Sequence, residues 1–121
     1  MAMRLPTKEA SRLKRPREEK PDHLTFIRSL PCCVCGLAGQ TEAAHIRSIN
    51  QRFAKAGAGI GAKPDDAWTV PLCSDCHREQ HLISEFVFWK THKKDPFILA
   101  LALWRYSRDY EAALICLENA G

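Results

Sequence analysis

The sequence predicts a small α+β domain, stapled by zinc and covered by a C-terminal helix, and three observations carry that reading. Two C-x2-C pairs, Cys32 with Cys35 and Cys73 with Cys76, stand 37 residues apart. Four thiolates so arranged suit tetrahedral Zn²⁺, because two intervening residues let both sulfurs of each turn reach one ion at about 2.3 Å. Residues 41–47 and 67–72 have the short, small and apolar character of strands, and from Ser74 onward the apolar pattern moves to helical steps of three and four.

Composition sets the frame for these elements. A chain of 121 residues fits one domain with a tail, and a core of that size gains from a metal staple. No apolar run approaches the roughly 20 residues of a membrane span, and the N-terminus is charged rather than signal-like. A soluble cytoplasmic protein with no membrane partner is expected. The paired spacing favours zinc over disulfides for the six cysteines, with Cys33 and Cys116 as bystanders. The net charge of +4 is carried by residues 1–28, which hold eight Lys and Arg against four acids. Between 29 and 64, Arg47, Arg52, Lys55 and Lys63 face Glu42 alone, a local excess that attracts polyanions.

Taken in order, residues 1–22 have too few apolar side chains to offset the entropy of ordering them, and are expected to form a disordered basic arm. The domain then runs over 23–121. Leu24, Ile27 and Leu30 share one face of a short helix or extended lead-in, with His23 at its edge as a surface residue. Pro31, Cys32, Cys33, Val34, Cys35 and Gly36 have the form of a zinc knuckle, with Gly36 allowing the tight turn. The first strand delivers His45 and Arg47 to its end. A segment with Gly57, Gly59 and Gly61 follows as a loop, and Lys63-Pro64-Asp65-Asp66 marks a turn. The second strand runs into Cys73, so the two strands form a hairpin with a long connection. Ser74 is the expected N-cap of a helix reaching about Lys90, whose apolar face holds Leu82, Phe86 and Trp89. Asp95 and Pro96 start a final helix over 96–118, with Leu99, Leu103, Tyr106, Tyr110, Leu114 and Leu117 in step. It either covers the zinc module or forms a dimer surface, and the oligomeric state stays open. Histidines four apart project from one helix face, so His77 and His81 can jointly hold a second metal ion.

Set side by side, a strand ending in His45, a glycine-rich connection, a second strand and a helix bearing His77 and His81 resemble the HNH endonucleases, also called ββα-metal or His-Me finger nucleases. The matching stretches are Ala43-Ala44-His45-Ile46-Arg47 and Leu72-Cys73-x2-Cys76-His77-x3-His81. The chain is most similar to prophage-type members with A-H-I-R, a glycine-rich loop, K-P-D-D and P-L-C-x2-C-H. It is also similar to the recombination-enhancing phage nucleases that act with the RecA recombinase. Residues 30–90 carry the resemblance.

The resemblance implies a metal-dependent endonuclease, bacterial or phage-encoded, that hydrolyses DNA phosphodiester bonds. His45 would be the general base, His77 and His81 would hold a catalytic divalent ion (Mg²⁺, Mn²⁺ or Zn²⁺), and the four cysteines would hold structural Zn²⁺. DNA is then the partner, with a recombinase or another DNA-processing protein as a second. The residue types suit the reaction: imidazole titrates near neutrality and can take a proton from water, and a divalent ion can neutralise phosphoryl charge. Ala44 stands where many members carry an Asp or His ligand, and the bracing Asn of the family pattern is not evident before Trp68. Asp65 or Asp66 can replace one of them, as an oxygen ligand or as an imidazole partner, with Asp66 preferred because it lies nearer the second strand. Arg47, Arg52, Lys55 and Lys63 are the candidate phosphate contacts. Nothing resembles a recognition helix, so low sequence specificity is expected. The competing reading is a non-catalytic zinc module that binds nucleic acid or serves as an adaptor.

Overall fold

In the computed structural model, which describes residues 19–48, 50 and 65–120, a two-stranded antiparallel sheet lies among five helices. Helix α1 (Pro21–Arg28) is followed by strand β1 (Thr41–His45) and strand β2 (Thr69–Cys73). Helices α2 (Ser74–Leu82), α3 (Glu85–Thr91), α4 (Pro96–Arg105) and α5 (Tyr110–Asn119) complete the order. Residues 1–18 of the basic arm expected over 1–22, and the glycine-rich segment over 51–64, lie outside the described residues, whereas the arm's last two residues, Pro21 and Asp22, already belong to α1.

The register of the hairpin pairs Thr41 with Cys73, Ala43 with Pro71 and His45 with Thr69. Every residue of β2 is buried, because α1, α2 and α4 all pack on it. Pro71 has no N–H to donate, and its carbonyl accepts from the Cys33 amide at 2.9 Å on the edge away from β1. That bond seats the knuckle against the strand. The core joins Phe26, Ile27 and Leu30 to Ala44, Ile46, Val70, Leu72, Phe88, Trp89, Leu99, Ala100 and Leu103. A fully buried side chain of this size contributes about 1.5–3 kcal/mol, so α1 and α4 are integral to the hairpin's stability.

Four local expectations are corrected. The helix expected to be capped by Ser74 starts one residue earlier, with Cys73 in the cap position and Ser74 inside the first turn, and it ends at Leu82. Ser84 caps a new helix by accepting from the Val87 amide at 3.1 Å, which turns the apolar face. Leu82 and Phe86 are therefore 78% and 72% exposed, and only Trp89 of that trio is buried. The final helix is also two: Arg108 adopts a left-handed conformation and Asp109 caps α5 through the Ala112 amide. The Asp95 cap and Pro96 start stand as expected, with Asp95 accepting from Phe97 and Ile98. The fourth correction is His23, which is 2% exposed rather than on the surface. It lies edge-on to Trp104 at 4.8 Å and shares a 2.7 Å hydrogen bond between its Nδ1 and the Ser107 hydroxyl.

Among the described residues no helix is long and apolar enough to cross a membrane.

Candidate functional site

The four cysteines meet. Cys32 and Cys35 come from the knuckle, which Gly36 closes at φ 80° with its amide donating to the Cys32 carbonyl at 2.9 Å. Cys73 ends β2 and Cys76 lies in the first turn of α2. Their Sγ atoms all lie within 4.8 Å of one another, and Cys35 and Cys73 Sγ are 3.6 Å apart. A tetrahedron with zinc–sulfur bonds of about 2.3 Å has sulfur–sulfur edges of about 3.8 Å, so the set could close on that ion with shifts of no more than about 1 Å. The amides of Val34 and Cys35 donate to Cys32 Sγ at 3.4 and 3.5 Å.

Electrostatics point the same way. Burial opposes ionisation of Cys32, but backbone donors from Cys35, Cys73 and Val34 outweigh it and hold the thiol down to about 7. Burial and the neighbouring cysteine sulfurs push Cys76 up. Crowded thiols cannot all ionise without a cation among them, and a dication removes that conflict. Cys33 takes no part: it is buried, its thiol is pushed up by burial first and Cys32 second, and its amide is spent on Pro71. Cys116 stands outside the cluster.

The histidines form two separate arrangements. At the end of β1, the Nε2–H of His45 donates to Asp66 Oδ1 at 2.9 Å. Asp66 is 1% exposed, and its second oxygen accepts from the Lys20 amide at 2.7 Å. Its backbone carbonyl accepts from the Thr69 hydroxyl at 2.8 Å, which locks the turn to β2. Of the acidic pair, then, Asp66 reaches an imidazole. On α2, His77 Nδ1–H donates to Glu42 Oε1 at 2.7 Å, and the Nε2 atoms of His77 and His81 lie 3.2 Å apart. A carboxylate on one imidazole nitrogen fixes the tautomer and leaves the other nitrogen as a donor to a cation. Among the described residues, the cysteines are the group of three or more ligand-type side chains that closes within this distance, and the histidine pair gains no third member.

Glu42 enters the sequence reading only as a charge. A signal for it is present all the same: strand alternation puts Glu42 on the same face as Ala44. Arg47 follows β1, with its amide donating to Glu85 Oε2 at 2.8 Å. Arg52, Lys55 and Lys63 lie outside the described residues. His92, which the sequence motifs leave without a role, faces Glu79 at 3.3 Å.

A family model described as a protein of unknown function (DUF968) matches residues 5–100, a span that contains every candidate residue above. No curated protein and no solved structure matches the chain.

Proposed function

The chain belongs to the DUF968 family, whose description leaves the activity unspecified, and we propose from its residues and their arrangement that it is an HNH-type, metal-dependent endonuclease. It would hydrolyse DNA phosphodiester bonds with low sequence specificity. The observation that carries this reading is the hydrogen bond from His45 Nε2–H to the buried Asp66 carboxylate.

That bond keeps the proton on Nε2, so in the neutral ring Nδ1 bears the lone pair that takes a proton from water. Asp66 is held by a donor on each oxygen, from His45 and from Lys20, and so fixes the ring plane. As the imidazole becomes charged, the adjacent carboxylate stabilises it. His77 and His81 would hold the divalent ion through their Nε2 atoms, with Glu42 keeping the His77 tautomer in place. Such an ion supplies charge neutralisation on the phosphoryl and leaving oxygens. Two nitrogen donors favour Zn²⁺ over Mg²⁺ in that position. The cysteine cluster, with Zn²⁺, would brace the hairpin and α2, and Arg47, Arg52, Lys55 and Lys63 would meet phosphate. A DNA-processing partner such as a recombinase is compatible with so small a catalytic unit.

The test is nicking of supercoiled DNA with Mg²⁺, Mn²⁺ or Zn²⁺ added, run beside His45→Ala. Metal-dependent nicking that falls at least about 100-fold in the variant, with zinc content and DNA affinity unchanged, is expected. Undiminished nicking by the variant would remove His45 as base. Bound but uncut DNA with both proteins favours the non-catalytic zinc module, the reading supported by Ala44 at the position where many HNH members carry a ligand.

A further inference from the structure

Beside the histidine site the chain builds a second surface. A groove of about 640 Å³ runs between α3 and α4, lined by Phe86, Trp89, Lys90, Lys93, Lys94 and Phe97, with Ser48, Glu85 and Asp95 at its margins. Ser48 and Glu85 also line a smaller hollow of about 400 Å³ with Arg47, Gln80 and His81. The groove therefore opens next to His81.

Three lysines, Lys90, Lys93 and Lys94, face two carboxylates, Glu85 and Asp95, around the groove, which leaves it an excess of one positive charge. Glu85 is engaged by the Arg47 amide at 2.8 Å and by the Ser48 amide and hydroxyl at 3.0 and 2.5 Å. Asp95 accepts from the Phe97 and Ile98 amides at 2.9 and 3.3 Å. These bonds hold both carboxylates at the margins, against backbone amides and the Ser48 hydroxyl rather than against the lysines. Among the described residues, Lys90, Lys93 and Lys94 have no carboxylate partner. The turn that gathers them is specific: Lys93 sits at φ 58°, and the amides of Lys93 and Lys94 donate back to the Lys90 and Trp89 carbonyls.

The rings complete the pattern. Phe86 is 72% exposed with the Lys90 ammonium 5.4 Å from its centre, and Phe97 is held edge-on to Trp68 at 6.3 Å. The Trp89 indole N–H has no acceptor among the described residues. Cations alone would serve any polyanion. An exposed aromatic ring among them serves a polyanion whose bases are free to stack, and in a duplex the bases already stack on each other.

We propose that this groove binds single-stranded nucleic acid, with Phe86 and Phe97 stacking on unpaired bases and Lys90, Lys93 and Lys94 meeting phosphates. The assignment rests on the nuclease reading for its substrate class and adds the strand form that class takes here. A strand in the groove would pass the hollow at His81.

The experiment measures binding by fluorescence anisotropy, using the full zinc-loaded chain without other added metal. The probes are a labelled oligo(dT) 12-mer and a duplex of equal length. Oligo(dT) should bind at least about tenfold more tightly than duplex, and Phe86→Ala should weaken oligo(dT) about tenfold with duplex affinity unchanged. Phe86→Trp should restore the affinity. Lys90→Gln combined with Lys93→Asn should reduce the slope of log affinity against log salt by about 1.4, roughly 0.7 for each phosphate no longer neutralised. All of these positions are exposed, so the variants retain the fold. Equal affinity for duplex and single strand, or no effect of Phe86→Ala, would overturn the proposal. So would displacement of oligo(dT) by polyglutamate of equal charge, which would identify an acidic peptide as occupant. Binding with the expected responses but no nicking would sink the nuclease reading and leave the groove. Nicking without single-strand preference would do the reverse.

Discussion

Acid should destabilise this domain through one residue, His23. Burial lowers its pKa from 6.5 to about 4, while the Asp66 carboxylate pulls weakly the other way. Its buried Nε2 has no partner among the described residues, so protonation would add an N–H donor without an acceptor there. The unfolded chain takes up the proton near pH 6.5 and the folded chain only near 4. Stability is thus intact above 6.5 and is lost as pH falls from there towards 4. At about 1.4 kcal/mol per pH unit the full loss is about 3 kcal/mol, of which about 2 kcal/mol is gone by pH 5. For a domain stable by roughly 5–15 kcal/mol, that is a large fraction. The assay is urea unfolding of the parent and His23→Leu at pH 8 and pH 5. Cysteines and the other histidines titrate in both proteins, so the difference between the two losses isolates His23. A loss smaller by about 2 kcal/mol in the variant is expected. Equal losses, or a His23 ring that titrates near 6.5 in the folded protein by NMR, would refute the reasoning.

Two further outcomes test the metal sites. Cys73→Ser should leave the chain unable to fold, because structural zinc supplies about 10–16 kcal/mol of folding free energy, and a cooperative thermal transition without bound zinc would contradict it. Glu42→Gln should weaken the second-ion affinity of the His77 and His81 pair about 10–100-fold, read by competition with a chromophoric chelator. Zinc on the cysteines should be unaffected in that variant, and unchanged second-ion affinity would free Glu42 of its role.

Much of the metal chemistry was legible because ligand spacing is a local code. The two C-x2-C pairs meet as the sequence implied, and the strands fall within two residues of their expected limits. Asp66 was preferred over Asp65 from its nearness to the second strand, and it is the one that reaches His45. What failed was continuity. Periodicity through Leu82, Phe86 and Trp89 hid the break at Ile83 and Ser84, because a short cap residue competes with helix extension only when the next turn finds its own packing. His23 could not be placed as buried from sequence, since its cover comes from Trp104 and Ser107, more than eighty residues away. Glu42 could have been placed on the face of Ala44 by strand alternation, but its partner, His77, shows only once β1 is set against α2.

The Ile46 amide donates to the Trp68 carbonyl at 2.9 Å, which clasps the chain just outside the last pair of the sheet register. Everything from residue 47 to residue 67 is therefore a closed excursion of 21 residues that leaves and returns at one point. Doubling the length of such an excursion costs only about 0.6 kcal/mol in closure entropy. Its described ends are anchored, Arg47 and Ser48 on Glu85 and Asp66 on Lys20 and His45, so a change of length between residues 51 and 64 should leave the cysteine cluster and α2 in place.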